Sequence, residues 1–221
     1  MKRILLLAAI LLTGTLAAQS PTTTWPYRYP LFADGTLILT NGQEMTQKVN
    51  IHLLKGDLHF IDDKGLIQMA PAGQFSSVRI GTDTFRRVEG LLLRVVPGPD
   101  ERNFVAVRQT VDLTSLNETG GAYGVSSATS STRRVTSFDM DGTVNVSHKQ
   151  LEKERENGRK VRIKTEYYLV LDGKLVKADK KDAAAAAGPE RAEAFQQFLK
   201  NNKINWKNEQ SLLTLFLFFK P

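Results

Sequence analysis

Short runs in which apolar and polar residues alternate make up most of this chain, and many of them end at a glycine-containing reversal. Alternation with a period of two is typical of β-strands that bury one face. Asn-Gly and Asp-Gly pairs favour two-residue hairpin turns, because both positions tolerate a positive φ. Reversals that contain a glycine occur at residues 41–42, 55–56, 141–142 and 172–173. The pattern predicts an antiparallel β meander over residues 35–179, folded as a sandwich or a partly open barrel.

Two details of this meander can be predicted more closely. The mostly apolar run at residues 91–96 precedes Pro97, Gly98 and Pro99, and these three residues are expected to stop the strand. Residues 114–132 are small and polar, rich in Gly, Ser and Thr, and cannot bury much surface. We therefore expect a long mobile loop there, and Tyr123 within it is a candidate binding residue.

Helical patterns replace the alternation after residue 180. An alanine run at residues 183–187 ends at Gly188, and Pro189 suits the first turn of a new helix. Residues 211–219 are apolar on almost every side, so the last helix must be covered by other elements or by a partner. The predicted fold class is therefore mainly β (α+β), with a C-terminal helical hairpin over residues 180–221. Phe216 and Phe219 are candidate binding residues on its last helix.

The first eighteen residues have the layout of a secretory signal peptide. Lys2 and Arg3 precede an apolar run at residues 4–12, and small residues follow before Gln19. That run is shorter than the roughly 20 residues that a membrane-spanning helix needs. The pattern predicts export, with cleavage near Ala18. Residues 19–34 then form an extended, proline-marked lead-in, whose alternating Trp25 and Tyr27 are candidate binding residues at an exposed edge.

Composition narrows the chemistry. The 221-residue chain is 41% hydrophobic and has no cysteine, so it can form a core but has neither disulfides nor zinc–thiolate sites. Its net charge is +7; removing Lys2 and Arg3 takes the 30 basic side chains to 28 against 23 acidic ones, which leaves +5. The basic residues are not interleaved with stacking aromatics, so nucleic acid is not an expected partner. We expect no cofactor.

Two histidines are the weak candidates for a metal site. A two-residue turn at residues 55–56 would place His52 opposite His59, with Cβ atoms about 5 Å apart. No third ligand is evident nearby, so exposed histidines on a sheet surface are the favoured interpretation.

The segment around Asp139 and Asp141 reads Asp-Met-Asp-Gly-Thr, which resembles the signature of haloacid-dehalogenase phosphatases. In that family the first aspartate attacks phosphorus, the second acts as acid and base, and magnesium is bound between carboxylate and phosphate. The resemblance implies a metal-dependent phosphoester hydrolase. Because strand-like segments flank the motif on both sides, a hairpin turn at residues 141–142 is the favoured interpretation.

Further segments carry a broader resemblance. They are the Asn-Gly pair at 41–42, the small-residue loop at 121–131, the Tyr-Tyr-Leu-Val-Leu-Asp-Gly-Lys hairpin at 167–174 and the helical segment at 198–205. Together they resemble a group of exported proteins of Bacteroidota for which no activity is known. The resemblance implies location and architecture, and no catalytic residue can be carried over from it.

These observations favour an exported, non-enzymatic cell-envelope protein, periplasmic or associated with the outer membrane. It would bind or support another envelope component, either a protein or a surface component, with peripheral membrane association as a further option. Two alternatives stay open: the phosphoester hydrolase that uses Asp139 and Asp141, and a small outer-membrane β-barrel.

Overall fold

The computed structural model describes residues 22–112, 146–156 and 160–219. Their strands are β1 (Thr22–Thr23), β2 (Ala33–Leu39), β3 (Glu44–His52), β4 (Asp57–Ile61), β5 (Leu66–Met69), β6 (Phe75–Ile80), β7 (Asp83–Val88), β8 (Leu91–Asp100), β9 (Asn103–Asp112), β10 (Val146–Ser147), β11 (Val161–Leu171) and β12 (Lys174–Lys177). Their helices are α1 (His148–Glu154), α2 (Lys180–Ala187), α3 (Ala192–Asn201), α4 (Glu209–Leu213) and α5 (Phe216–Phe219), with a 3₁₀ turn at Pro189–Arg191 before α3.

The described strands form one antiparallel, strongly curled half-barrel sheet, which confirms the predicted fold class. Its order is β1-β11-β9-β8-β7-β6-β2-β3-β4-β5-β10, and β12 pairs with β11. The chain therefore makes one meander from β2 to β5, returns through residues 70–74 to the other side of β2, and makes a second meander from β6 to β9. This return brings β6 beside the first strand of the first meander.

The hairpin turns match the prediction at one end of the chain and depart from it at the other. Asp172 and Gly173 both have positive φ, at 51° and 83°, as the predicted two-residue turn requires. At the first hairpin, only Gly42 has positive φ, and the backbone N–H of Leu39 donates to the carbonyl of Gln43. That loop has three residues, 40–42, because a type I turn followed by one left-handed residue also closes a hairpin.

The predicted two-residue turn at residues 55–56 is wrong. His52 pairs with Asp57, so the loop spans residues 53–56. The cause is Leu53, which is buried against Val111 and Val161. Its backbone N–H donates to the carbonyl of Pro26, and its own carbonyl accepts from Val111. Burial of this apolar side chain, with both backbone groups satisfied, outweighs the local preference for a tight turn.

The proline-rich segment at 97–99 does not stop its strand, contrary to the prediction. Strand β8 continues to Asp100, with a register shift between Val96 and Asp100. Prolines interrupt the hydrogen-bond ladder, which is why the irregularity falls here. Gly98 lets the two backbones approach closely, since a Cβ at this position would lie 2.7 Å from the Cα of Phe104.

Register defines two faces of the sheet, which we call the front face and the back face. Cross-strand partners share a face, as do alternate residues along a strand. The front face carries most of the large apolar side chains, including Leu37, Val49, Val78, Phe85, Leu92, Val96, Val105 and Leu169. The back face of β3 and β4 carries Asn50, His52 and His59, which are all buried.

The C-terminal helices cover the front face of β8, β9 and β11. Asp179 caps α2 by accepting from the backbone N–H of Asp182. Phe195 of α3 is fully buried, together with Leu212 and Leu215, against the sheet. The last predicted helix is divided into α4 and α5, and its apolar sides pack as expected except for Leu217, which is 76% exposed. Among the described residues, no helix combines the length and the apolar character needed to cross a bilayer.

Candidate functional site

The aromatic lead-in is part of the core instead of an exposed edge, which corrects the expectation for Trp25 and Tyr27. Both side chains are buried, with Phe32, against the back face. The ring centroids of Tyr27 and Phe32 are 4.8 Å apart, and the indole N–H of Trp25 donates to the carbonyl of Tyr29. These rings cover a sheet face of the same chain and do not present a free binding surface.

A buried asparagine explains how the lead-in is held. The side-chain oxygen of Asn50 accepts from the backbone N–H of Tyr29 at 3.0 Å, and its amide donates to the carbonyls of Tyr29 and Leu31. The lead-in also makes backbone hydrogen bonds to Ile51 and Leu53. These contacts provide hydrogen-bond partners for backbone groups of the lead-in, which is not part of a regular strand.

An ion pair holds the other side of the lead-in. The guanidinium of Arg28 lies 3.2 Å from the carboxylate of Asp83 and also donates to the side chain of Gln109. The hydroxyl of Tyr29 donates to the same carboxylate at 2.7 Å. Burial raises the pKa of Tyr29 to about 12, and the hydrogen bond to Asp83 is the next largest cause. The cluster therefore joins three distant parts of the chain and keeps Tyr29 protonated.

His52 and His59 are buried, which corrects the expectation of exposed imidazoles. His59 pairs with Asn50 and His52 with Asp57, so the two rings are diagonal neighbours instead of directly opposite. They stack with centroids 4.5 Å apart and planes 15° apart. The hydroxyl of Tyr27 lies 3.0 Å from Nδ1 of His59.

The chemistry around this pair is that of a packed core. Burial lowers the pKa of His59 to about 4, against a smaller opposing effect of Asp57, so the ring is neutral at neutral pH. Burial also raises the pKa of Tyr27. Within residues 22–112, 146–156 and 160–219, no three histidine or carboxylate side chains are grouped so that they could hold a metal ion. The pair therefore fastens the lead-in to the sheet.

The remaining predicted site residues fall into two groups. Phe216 is buried in the helical cover, and Phe219 is half-buried, with its ring 5.7 Å from that of Phe195. The last helix is thus covered by its own chain. Tyr123, Asp139 and Asp141 lie outside the described residues.

An open apolar cavity lies on the front face, at the end of the core remote from the helices; we call it the core-end cleft. Its volume is about 330 Å³, at the lower end of the range of small-molecule pockets. The floor consists of buried Leu37, Ala70 and Phe75, and the walls include Leu39 and Phe60, both half-buried. Met45 and Pro71 form an exposed apolar part of the rim.

Three separate parts of the chain build this cleft. Leu37, Met45 and Phe60 project from the front faces of β2, β3 and β4. The return segment 70–74 then crosses the open end, where the N–H of Ala70 donates to the carbonyl of Leu58. The front face is buried elsewhere along the sheet. Where the return segment passes its edge, the described residues leave it uncovered.

The polar side chains among the described residues that line the cleft are Gln47, Asp62, Asp63 and Gln74. The side-chain amide of Gln47 donates to the carbonyl of Ile61 at 2.6 Å, so it is already satisfied. Asp62 and Asp63 lie on the rim with Gln74. Hydrogen bonds from the backbone N–H groups of Leu66 and Lys64 and from Gln68 lower the pKa of Asp62, so its carboxylate is ionised at neutral pH.

A larger hollow, of about 660 Å³, lies on the back face beside the β8–β9 hairpin. Two of its charged side chains, Arg86 and Asp100, already have partners within the protein. The guanidinium of Arg86 lies over the ring of Phe104 and donates to the carbonyl of Glu101. Asp100 accepts from the backbone of Arg102 and from Asn103. The core-end cleft, with exposed apolar walls, is therefore the better candidate site.

Met45 and Phe60 are the site residues that the sequence reasoning missed. The only signal was register: Met45 and Gln47 occupy the same face of β3 as buried Val49 and Ile51. A large apolar residue at that position, 44% exposed, indicates that the buried face extends beyond its cover.

Comparisons with known proteins add nothing to the geometry of the site. No protein-family model matches the chain, and neither a curated protein nor a solved structure is significantly similar to it.

Proposed function

We propose that this chain is an exported, non-enzymatic cell-envelope protein that binds another envelope component, and that the core-end cleft accepts an apolar group of that component. The observation that carries the proposal is the uncovered front face: Leu39, Met45 and Phe60 stay partly in water beside a fully buried floor. The N-terminal pattern of the sequence supports export.

The energetics favour an apolar ligand. Removing apolar surface from water stabilises a complex by about 25 cal/mol per Å². The floor of Leu37, Ala70 and Phe75 offers no polar side chain that a polar ligand could use. Met45 adds an unbranched, polarisable side chain, which adapts well to the shape of a bound chain. Binding of an apolar ligand therefore covers the part of the front face that the fold leaves exposed.

Two methionines of similar exposure provide a matched test. Met45 is 44% exposed on the front face, and Met69 is 41% exposed on the back face, where it pairs with His59. The probe is dodecyl maltoside, an alkyl chain with an uncharged head, titrated calorimetrically below its micelle concentration. We expect Met45→Lys to weaken binding by about tenfold or more, because an ammonium group in the apolar cleft would lose hydration.

Met69→Lys is the control, since it adds the same charge at similar exposure outside the cleft. We expect it to change the dissociation constant by less than about twofold, in line with surface substitutions away from a site. Equal weakening by both variants, or the absence of any binding by the unaltered protein, would show that the cleft is not the binding site.

A further inference from the structure

We propose that the ligand of the core-end cleft is a lipid whose alkyl chain ends in a cationic ammonium head. This inference rests on the proposed function and specifies the ligand class. It starts from the charge of the rim. Asp62 and Asp63 both line the cleft, and no basic side chain of the described residues does.

The two carboxylates differ in what they already bind. Asp62 is fixed by the β4–β5 turn: one oxygen accepts from the backbone of Lys64 and Leu66, and the other accepts from Gln68 at 3.1 Å. Asp63 is exposed, and no ion pair or hydrogen bond to another described residue engages its carboxylate. The rim therefore presents one oriented and one available negative charge.

This local charge is opposite to that of the chain, which carries a net charge of +7. A lipid with an anionic head would be attracted by the basic surface as a whole but repelled at the cleft itself. A cationic head on an alkyl chain satisfies both parts of the site, since the chain covers the front face while the ammonium lies at the carboxylates. Lys64 does not line the cleft, and the effect of its positive charge is on Asp62, whose pKa it helps to lower.

The test compares three amphiphiles with the same chain: dodecylammonium, dodecyl maltoside and dodecyl sulfate, each below its micelle concentration and at low ionic strength. We expect dodecylammonium to bind about two- to fivefold more tightly than dodecyl maltoside, the range expected of exposed ion pairs, and dodecyl sulfate to bind most weakly. Raising the salt concentration should reduce the differences, because salt screens exposed charges.

Asp63→Asn should lower the ratio of the ammonium and maltoside affinities towards one. Asp34→Asn is the matched control: its carboxylate is also exposed, but it pairs with Lys48 on the back face, and the ratio should be retained. A ratio near one in the unaltered protein, or tighter binding of the sulfate, would overturn this inference while maltoside binding still supports the proposed function. If no amphiphile binds, both proposals fail.

Discussion

The two ends of the sheet's front face carry the same kind of apolar surface, yet the described residues cover only one of them. At the helical end, Phe195, Leu212 and Leu215 pack against the strands and are fully buried. At the other end, Met45 and Phe60 keep part of their surface in water. Register shows that these are one continuous face, since alternate residues of β3, β2, β6, β7 and β8 are linked by direct cross-strand pairs.

The difference shows where the chain uses its own residues and where it leaves surface for another molecule. Residues 180–219 form a cover from several short helices, held to the sheet by an ion pair between Arg94 and Glu209 as well as by packing. The return segment 70–74 is too short to make such a cover at the other end. Apolar surface that a fold leaves uncovered in this way is typical of an interaction site.

The largest expected effect tests the covered end. Phe195 is fully buried, and its ring centroid lies 5.0 Å from that of Phe218 and 5.7 Å from that of Phe219. Phe195→Ala should lower the free energy of unfolding by about 3–5 kcal/mol, because it leaves a cavity and removes these contacts. Urea denaturation measures the change. Leu217→Ala, at an exposed position of the same cover, should cost less than about 0.5 kcal/mol; equal losses would show that the helices are not a packed cover.

The second prediction tests the layer behind the open end. Strands β3 and β4 carry the cleft on one face and His59 on the other, and the pKa of His59 is lowered from 6.5 to about 4 by burial. Between these values the unfolded chain binds a proton that the folded chain does not, so stability is complete above pH 6.5 and falls as the pH drops towards 4. The loss should be on the order of 3 kcal/mol, measured by urea denaturation at several pH values.

His59→Phe is the control for this pH dependence, since it keeps an aromatic ring but cannot be protonated. In this variant the decline between pH 6.5 and 4 should be smaller by about the same amount. An unchanged decline would assign the effect to other groups, and it would exclude protonation of His59 as its cause.

Sequence reasoning was most successful where local chemistry decides the structure. The turn at Asp172 and Gly173 and the end of α2 at Gly188 depend on positive φ values, which the residue types specify directly. It failed at residues 53–56, because the burial of Leu53 against β9 and β11 is a contact between distant parts of the chain. The burial of Trp25 and Tyr27 was missed for the same reason. The lead-in is held by a hydrogen bond to Asn50, which is distant in sequence.

The cleft could not be predicted for a related reason. Its floor combines Leu37 of β2 with Ala70 and Phe75, and this contact requires the chain to return across the sheet to β2. A meander predicted from successive hairpins places each strand beside the previous one and gives no such return. The alternation in β3 identified a buried face but not the point at which its cover ends.

The smallest expected effect concerns how the cover at the helical end is fixed. The carboxylate of Asp179 accepts from the backbone N–H of Asp182 at 2.9 Å and so satisfies one free donor at the start of α2. Asp179→Ala should lower the free energy of unfolding by about 1 kcal/mol, whereas Asp179→Asn should nearly retain it, because asparagine caps helices about as well as aspartate. Thermal or urea denaturation of both variants measures the difference. If alanine is tolerated as well as asparagine, α2 is held by the packing of Ala183 and Ala187 alone, and the cover of the front face depends on apolar contacts without help from its helix termini.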